Sequence, residues 1–321
     1  MASSDSAPHP PTIEQHDVAF DAEPGVVLRG WLLRPAGAAT PLPAITMAHG
    51  YAGTAHHGLF PFARAFAETG FVVLLHDHRN FGSSDAPDPG DIDPWRQIAD
   101  WRSAISFLES RPEVDAALIG LWGTSYAGGH AIFLGATDRR LRAVVTQVPT
   151  ISGYEQGLRR VEPGAVPGLE TAFIEDDRRR FRGEPGHRIA VVGSDQERPA
   201  AYRSQDAIDF YLQELPEGVW RNEVTLRSGR AARMYEPGAW IARVSPTPLM
   251  LVVAMADTIT LTDLALVAYE RALQPKKLVT VQGGDFDPYL SQFSVASAAA
   301  VGWFHEYLVR SPGGQPCPIS A

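Results

Sequence analysis

The stretch Leu118–Ala131, "LIGLWGTSYAGGHA", holds the residues best placed to do chemistry. Apolar residues lead into Gly123-Thr124-Ser125-Tyr126-Ala127-Gly128, and a run of small residues follows. A serine on so tight a strand-to-helix reversal projects its hydroxyl from a strained backbone, and large neighbours two positions away would strike the crossing chain. Ser125 therefore reads as a nucleophile. Three further stretches put polar residues at the ends of strand-like runs. They are His49-Gly50-Tyr51, Asp257 closing "LMLVVAMAD", and Asp285 in "VQGGDFDPYL".

The flanking elements must hold these residues. Strands are expected at 26–33, 44–48, 71–77, 116–123, 142–149, 247–257 and 276–282, each a short apolar run bounded by Pro, Gly or polar residues. Helices are expected at 58–69, 93–110, 127–137, 262–273 and about 291–310. In the 93–110 helix, Trp95, Ile98, Trp101, Ile105 and Leu108 share one face. Alternating strand and helix predicts a mainly parallel sheet with helices on both faces. The rhythm stops between 150 and 243, a stretch rich in Gly, Pro and Arg. That arrangement predicts a core from 1–149 and 244–321, with a cap inserted at 150–243.

Composition narrows the class. Hydrophobic residues make up 45% of the 321 and charged residues 20%, which is ordinary for a globular chain with a substantial core. A net charge of −9 speaks against nucleic-acid binding. Cys317, the single cysteine, lies in a polar tail and predicts neither a disulfide nor a catalytic thiol. No run is long and apolar enough for a membrane span, and the start "MASSDSAPHPPTIEQHD" is neither a secretory signal nor an obvious element. It reads as a disordered lead-in, and the chain as cytoplasmic. No metal or organic cofactor is implied, and oligomeric state is not legible.

The elbow around Ser125 resembles that of the α/β-hydrolase superfamily, with Ala127 where the usual pattern has a second glycine. The phrases "AHGYAGT", "FGSSD", "DPWRQIADWR", "GLWGTSYAGGHA", "QVPTISGYEQ", "WRNEVTLRS" and "GGDFDPY" resemble a narrower group. It contains bacterial and fungal polyketide transferases of the fumagillin type and hydrolases like X-Pro dipeptidyl-peptidases. The resemblance implies an α/β-hydrolase fold and acyl chemistry. It implies that the backbone amides of Tyr51 and Tyr126 form an oxyanion hole and that Asp257 is the triad acid. Asp263 is better read as a first-turn helix anion, and His49, Asp77, Arg79 and Ser84 as braces for the loops. His76 and His78 read as packing residues.

The resemblance also implies a histidine where this chain has Asp285. His130, His187 and His305 offer no obvious replacement. Carboxylates at 257 and 285 would lie close together, so one of them should hold its proton more firmly. A raised carboxyl is a modest base and a poor substitute for imidazole. Three readings follow: a hydrolase silenced by a substitution at 285, a rebuilt site for elimination, cyclisation or acyl transfer, or a pseudoenzyme that binds an acyl ligand.

The expected substrate is a small acyl molecule: an ester, thioester or lactone of a sizeable apolar, polyketide-like group. The aromatic set Tyr154, Phe173, Phe210, Tyr211, Trp220, Tyr235 and Trp240 supports that size, with Tyr154 and Trp220 as substrate-binding candidates. The charged stretches 158–164 and 175–188 read as a solvated face. A mouth that attracts acidic substrates is the sharper alternative, weakened by the interspersed Asp and Glu.

Overall fold

The computed structural model describes residues 12–194 and 198–309, so Cys317 and residues 1–11 lie outside it. Eight strands form one sheet in the order β1-β2-β4-β3-β5-β6-β10-β11. They are β1 (Ile13–Glu23), β2 (Val26–Pro35), β3 (Leu42–Ala48), β4 (Val72–His76), β5 (Val114–Thr124), β6 (Leu141–Gln147), β10 (Leu249–Ala254) and β11 (Lys276–Val281). β1 and β2 pair antiparallel, β2 meets β4 antiparallel, and the remaining pairings are parallel.

The parallel strands are legible because both their faces are covered. "VVLLH" in β4 and "LMLVVA" in β10 are buried throughout. The edge strand β1 is mixed, "IEQHDVAFDAE", and mostly exposed. The expected lead-in is therefore corrected over residues 13–17, which belong to β1. Their pairing with β2 and the stacking of Phe20 on Phe107, 4.8 Å between centroids, hold a strand that its polar residues disguise.

The pleat of β5 sorts the helices. Gly120 and Trp122 point to one face, where they meet Phe304 of α9 (Phe293–Leu308) and Phe62 of α1 (Phe60–Glu68). Gly123 points to the other, against Ala127 and Ala131 of α3 (Ser125–Thr137). α2 (Pro94–Glu109) lies beside α3 and starts at Asp93, whose carboxylate accepts from the Trp95 and Arg96 amides. Ile98, Trp101, Ile105 and Leu108 are buried as expected, but Trp95 is 54% exposed. It sits in the first turn and meets only the edges of Phe133 and Tyr235.

Between β6 and β10 the chain forms α4 (Gly153–Arg160), α5 (Val166–Phe181), α6 (Gln205–Tyr211) and α7 (Leu226–Arg233). It also forms a small sheet in the order β8-β7-β9 from Ala200–Tyr202, Arg188–Val192 and Val224–Thr225. These strands are too short to show a period in the sequence. α8 (Thr262–Arg271) completes the set. Among the described residues, no helix is long and apolar enough to cross a membrane.

One buried ion pair ties three elements together. Arg79, after β4, bonds both carboxylate oxygens of Asp100 in α2 and reaches Glu23 at the end of β1. The Asp100 side chain is 1% exposed and that of Arg79 5%. Removing the guanidinium strands a carboxylate in the interior. Arg79→Met should cost about 3–5 kcal/mol of stability in urea unfolding. The double variant Arg79→Met/Asp100→Leu should recover most of it. A loss below about 1 kcal/mol in the single variant would show that the pair is not structural.

Candidate active site

Ser125 is where β5 becomes α3. Its φ is +54°, in the left-handed region that non-glycine residues enter at a cost of about 1–2 kcal/mol. The close crossing explains the small residues around it. A Cβ on Gly123 would stand 2.3 Å from the Ala127 carbonyl oxygen. Ala127 itself is fully buried, and its methyl fits where the usual motif has a glycine. The reversal leaves Ser125 half-buried at a cavity, while Tyr126 falls in the first turn of α3, where main-chain N–H groups have no acceptor within the helix.

The loop after β3 runs directly over this serine. A Cβ on Gly50 would lie 3.0 Å from Ser125 Cβ and 3.4 Å from its Oγ, so a side chain there would crowd the serine. His49 holds the loop as expected. Its Nε2 accepts from the His78 amide at 3.1 Å, and its Nδ1 lies 2.9 Å from the Gly50 oxygen. The Asp77 carboxylate accepts from the Ala55 and Ser83 amides, at 2.8 and 3.0 Å. The Ser84 hydroxyl donates to the Asp77 carbonyl at 2.6 Å. A further clamp comes from the insertion. Tyr211 donates its hydroxyl to the Tyr51 carbonyl at 2.6 Å, and Trp220 donates its indole N–H to that of Ala52 at 2.7 Å.

Asp257 follows β10 and is 7% exposed. Its carboxylate accepts from the amides of Ile259, 2.7 Å, and Thr260, 2.8 Å, and from the Thr260 hydroxyl. Burial still raises its pKa, against the pull of those bonds. Asp285 follows β11 and is 2% exposed, with one carboxyl oxygen lacking any hydrogen-bond partner among the described residues. Burial first, and then the charges of Asp257 and Asp206, push its carboxyl well above the usual carboxylate range; the Arg160 guanidinium opposes this. The Asp257 charge thus adds to burial in favouring the neutral form of Asp285. Asp263 stands in the first turn of α8 and pairs with Arg159 at 2.8 Å.

Tyr289 ties the Asp285 loop to the elbow. Its hydroxyl bonds that of Thr124, the residue before Ser125, and Gln147 Nε2 donates to the same Thr124 oxygen at 3.3 Å. The Asp285 charge is among the influences that raise the Tyr289 pKa, behind burial. Tyr289 lies in the "GGDFDPY" phrase, four residues after the anomaly, and nothing but that position signalled its role.

Histidine does not line the cavity among the described residues. His130 is buried, with its ring nitrogens 2.9 Å from the Tyr235 hydroxyl and 3.0 Å from Gln97 Oε1; burial drives its pKa down to about 3. His57 is lowered to about 4, mainly by burial, and packs on Trp220. His76 and His78 are buried packing residues whose pKa values burial lowers. His187 is exposed, and His305 lies against Phe71 in α9.

Tyr51, Ser125 and Tyr126 line one cavity with Thr150, Gln156, Arg160, Tyr202 and Thr260, closed by aliphatic residues and Phe173. The two expected substrate contacts, Tyr154 and Trp220, do not line this cavity. Tyr154 is 55% exposed and opens on a different depression, beside Met234 and Glu236, because its helix turns that face outward. Trp220 faces another depression and uses its polar edge on the Ala52 carbonyl, so it braces the loop instead of lining the cavity. Tyr202 is the aromatic that sequence reasoning left without a role; its strand of three residues is too short to show a period. Tyr211, expected among the aromatics of an apolar pocket, instead donates to the Tyr51 carbonyl.

The raised Asp285 carboxyl is also a stability statement. Its folded pKa exceeds the unfolded one, so the fold loses stability as pH rises from about 4 through the folded value. Asp285→Asn removes that loss. At pH 8 the variant should be more stable than the parent. The gain should vanish below about pH 4, where both forms are neutral. Equal thermal unfolding of the two proteins at pH 8 would show that the carboxyl ionises freely.

Similarity to known proteins bears on the fold and the family. The family model of the X-Pro dipeptidyl-peptidase (S15 family) matches residues 24–285. The quorum-quenching protein AidA of Acinetobacter baumannii is 30% identical over 76% of this chain and 79% of its own. Polyketide transferase ATR5 of Stachybotrys chlorohalonatus is 28% identical over 84% and 88%, and a thiohydrolase of Eupenicillium brefeldianum 24% over 94% and 96%. Among solved structures, the α/β-hydrolase GrgF from Penicillium superposes with a TM-score of 0.80 at 24% identity, covering 92% of this chain and all of that one. The chain is an enzyme of the α/β-hydrolase fold and belongs to the X-Pro dipeptidyl-peptidase (S15) family.

Proposed function

We propose that this enzyme transfers an acyl group through Ser125, from an ester, thioester or lactone whose acyl part is largely apolar. The observation that carries the reading is the left-handed Ser125, set against Gly50 and open to a cavity. A serine held at such cost is suited to nucleophilic attack. Residues 150–243 act as the cap over this cavity. The polyketide transferase and thiohydrolase relatives favour a polyketide-like acyl group.

Ser125 Oγ attacks the carbonyl carbon, and its proton passes to the carboxylate of the Asp257–Asp285 pair. The carbonyl oxygen becomes an oxyanion that accepts from the Tyr51 and Tyr126 amides. Collapse expels the alcohol or thiol, which takes the proton back, and leaves the acyl-enzyme. Water then releases the acid, or a hydroxyl of a second molecule takes the acyl group. Asp285 occupies the place of the base. Asp257, with three donors on its own loop, holds the negative charge beside it.

Asp285 accepts a proton only when ionised. Burial and Asp257 raise its pKa, so kcat/KM for a short-chain p-nitrophenyl thioester should climb with pH above the ordinary carboxylate range. A fluorophosphonate should label Ser125 with the same pH dependence. Asp285→Asn should remove about 99% or more of the turnover, and Asp285→His should raise it at pH 7 by about 100-fold or more. Unchanged turnover in Asp285→Asn would remove the carboxyl from the mechanism. No labelling of Ser125 at any pH would overturn the nucleophile.

A further inference from the structure

The cavity at Ser125 is charged in one sense only. Its lining includes Arg160 and Arg233 and neither Asp nor Glu, in a chain with 37 acidic and 28 basic residues. Elsewhere in the insertion, arginines meet carboxylates: Arg159 with Asp263, Arg180 with Asp176, Arg188 with Asp88, Arg230 with Asp177. Those pairs account for much of the mixed charge that reads as a solvated face. Arg160 and Arg233 have no carboxylate at ion-pair distance among the described residues.

Both are nevertheless held in place. Arg160, in the last turn of α4, donates from Nη2 to the Ile259 carbonyl at 3.2 Å. Its guanidinium carbon lies 4.8 Å from the centre of the Tyr202 ring. Arg233 crosses α4 at Gly157 and donates from Nη1 to that carbonyl at 3.0 Å. A Cβ on Gly157 would come within 2.7 Å of Arg233 Nη1, so the missing side chain makes room for the guanidinium. Each guanidinium carries five N–H donors, more than these carbonyls and the Tyr202 hydroxyl beside Arg160 engage. The oxyanion has its own donors in the backbone, so the arginines are not needed there.

We propose that the substrate is amphiphilic. Its apolar acyl chain lies along Val161, Leu169, Phe173, Ile189 and Leu226, and a carboxylate or phosphate remote from the scissile carbonyl is held by Arg160 and Arg233. The proposal rests on the reading of this cavity as the acyl site. It makes the two arginines specificity residues, and it turns the apolar substrate class into an anionic apolar one.

Binding separates this from turnover. The Ser125→Ala protein is titrated calorimetrically with methyl hexanoate, monomethyl adipate and methyl 6-(phosphonooxy)hexanoate. At low salt, one or both anionic esters should bind at least about tenfold more tightly than the neutral one, with a gap that narrows as salt rises. The tighter of the two identifies carboxylate or phosphate. Arg160→Gln and Arg233→Gln should each remove most of the advantage, and Arg160→Lys and Arg233→Lys should restore part of it. Equal binding of all three esters, binding of none, or a preference that survives the double glutamine variant overturns the proposal. An anionic preference together with a catalytically silent Ser125 would support it while sinking the acyl-transfer reading.

Discussion

The left-handed turn at Ser125 is the constraint on which the rest of the site depends. To place a serine there, the chain must pass from strand to helix without a spacer, and the two backbones almost touch. Gly123 cannot carry a Cβ because the Ala127 carbonyl occupies that space, and one on Gly50 would crowd Ser125. The cost of one strained residue is small against a domain's stability, but nothing local offsets it. The surrounding packing does, through α3 pressed on β5 and β6 and through the Thr124–Tyr289 bond beneath the turn.

The chain between β6 and β10 contributes to the same end. Tyr211 and Trp220 bond two successive carbonyls of the loop over Ser125, and His57 fills the space between that loop and Trp220. These carbonyls share their peptide planes with the Ala52 and Gly53 N–H groups, so the two donors fix the chain just after Tyr51 and hold the loop in place over Ser125.

Much of this was legible in the sequence, for identifiable reasons. Parallel strands buried on both faces leave continuous apolar runs, so β4, β5 and β10 stood out, and the turn at Ser125 demanded small residues at fixed offsets. β1 was hidden because an edge strand with one wet face mixes His16 and Asp17 with apolar residues. Tyr154 and Trp220 were misplaced because aromatic content says that a cap has a core, not which ring faces which side. Arg160 and Arg233 were invisible as a pair. They are 73 positions apart in number, and only the fold shows that both line the cavity at Ser125 with no carboxylate at ion-pair distance among the described residues.

The two carboxyls show why the Asp285 site differs from an imidazole site in kind. An imidazole is neutral before it accepts a proton, so it rests in a buried place without electrostatic cost and becomes charged next to an acid that stabilises it. A carboxylate is charged before it accepts, beside another negative group, and becomes neutral afterwards. Burial and Asp257 therefore make Asp285 a stronger base per molecule ionised while reducing the fraction that is ionised. Arg160 opposes that reduction from the cavity side. An anion bound at Arg160 would screen this help, so substrate charge and the ionisation of Asp285 are linked through a single guanidinium.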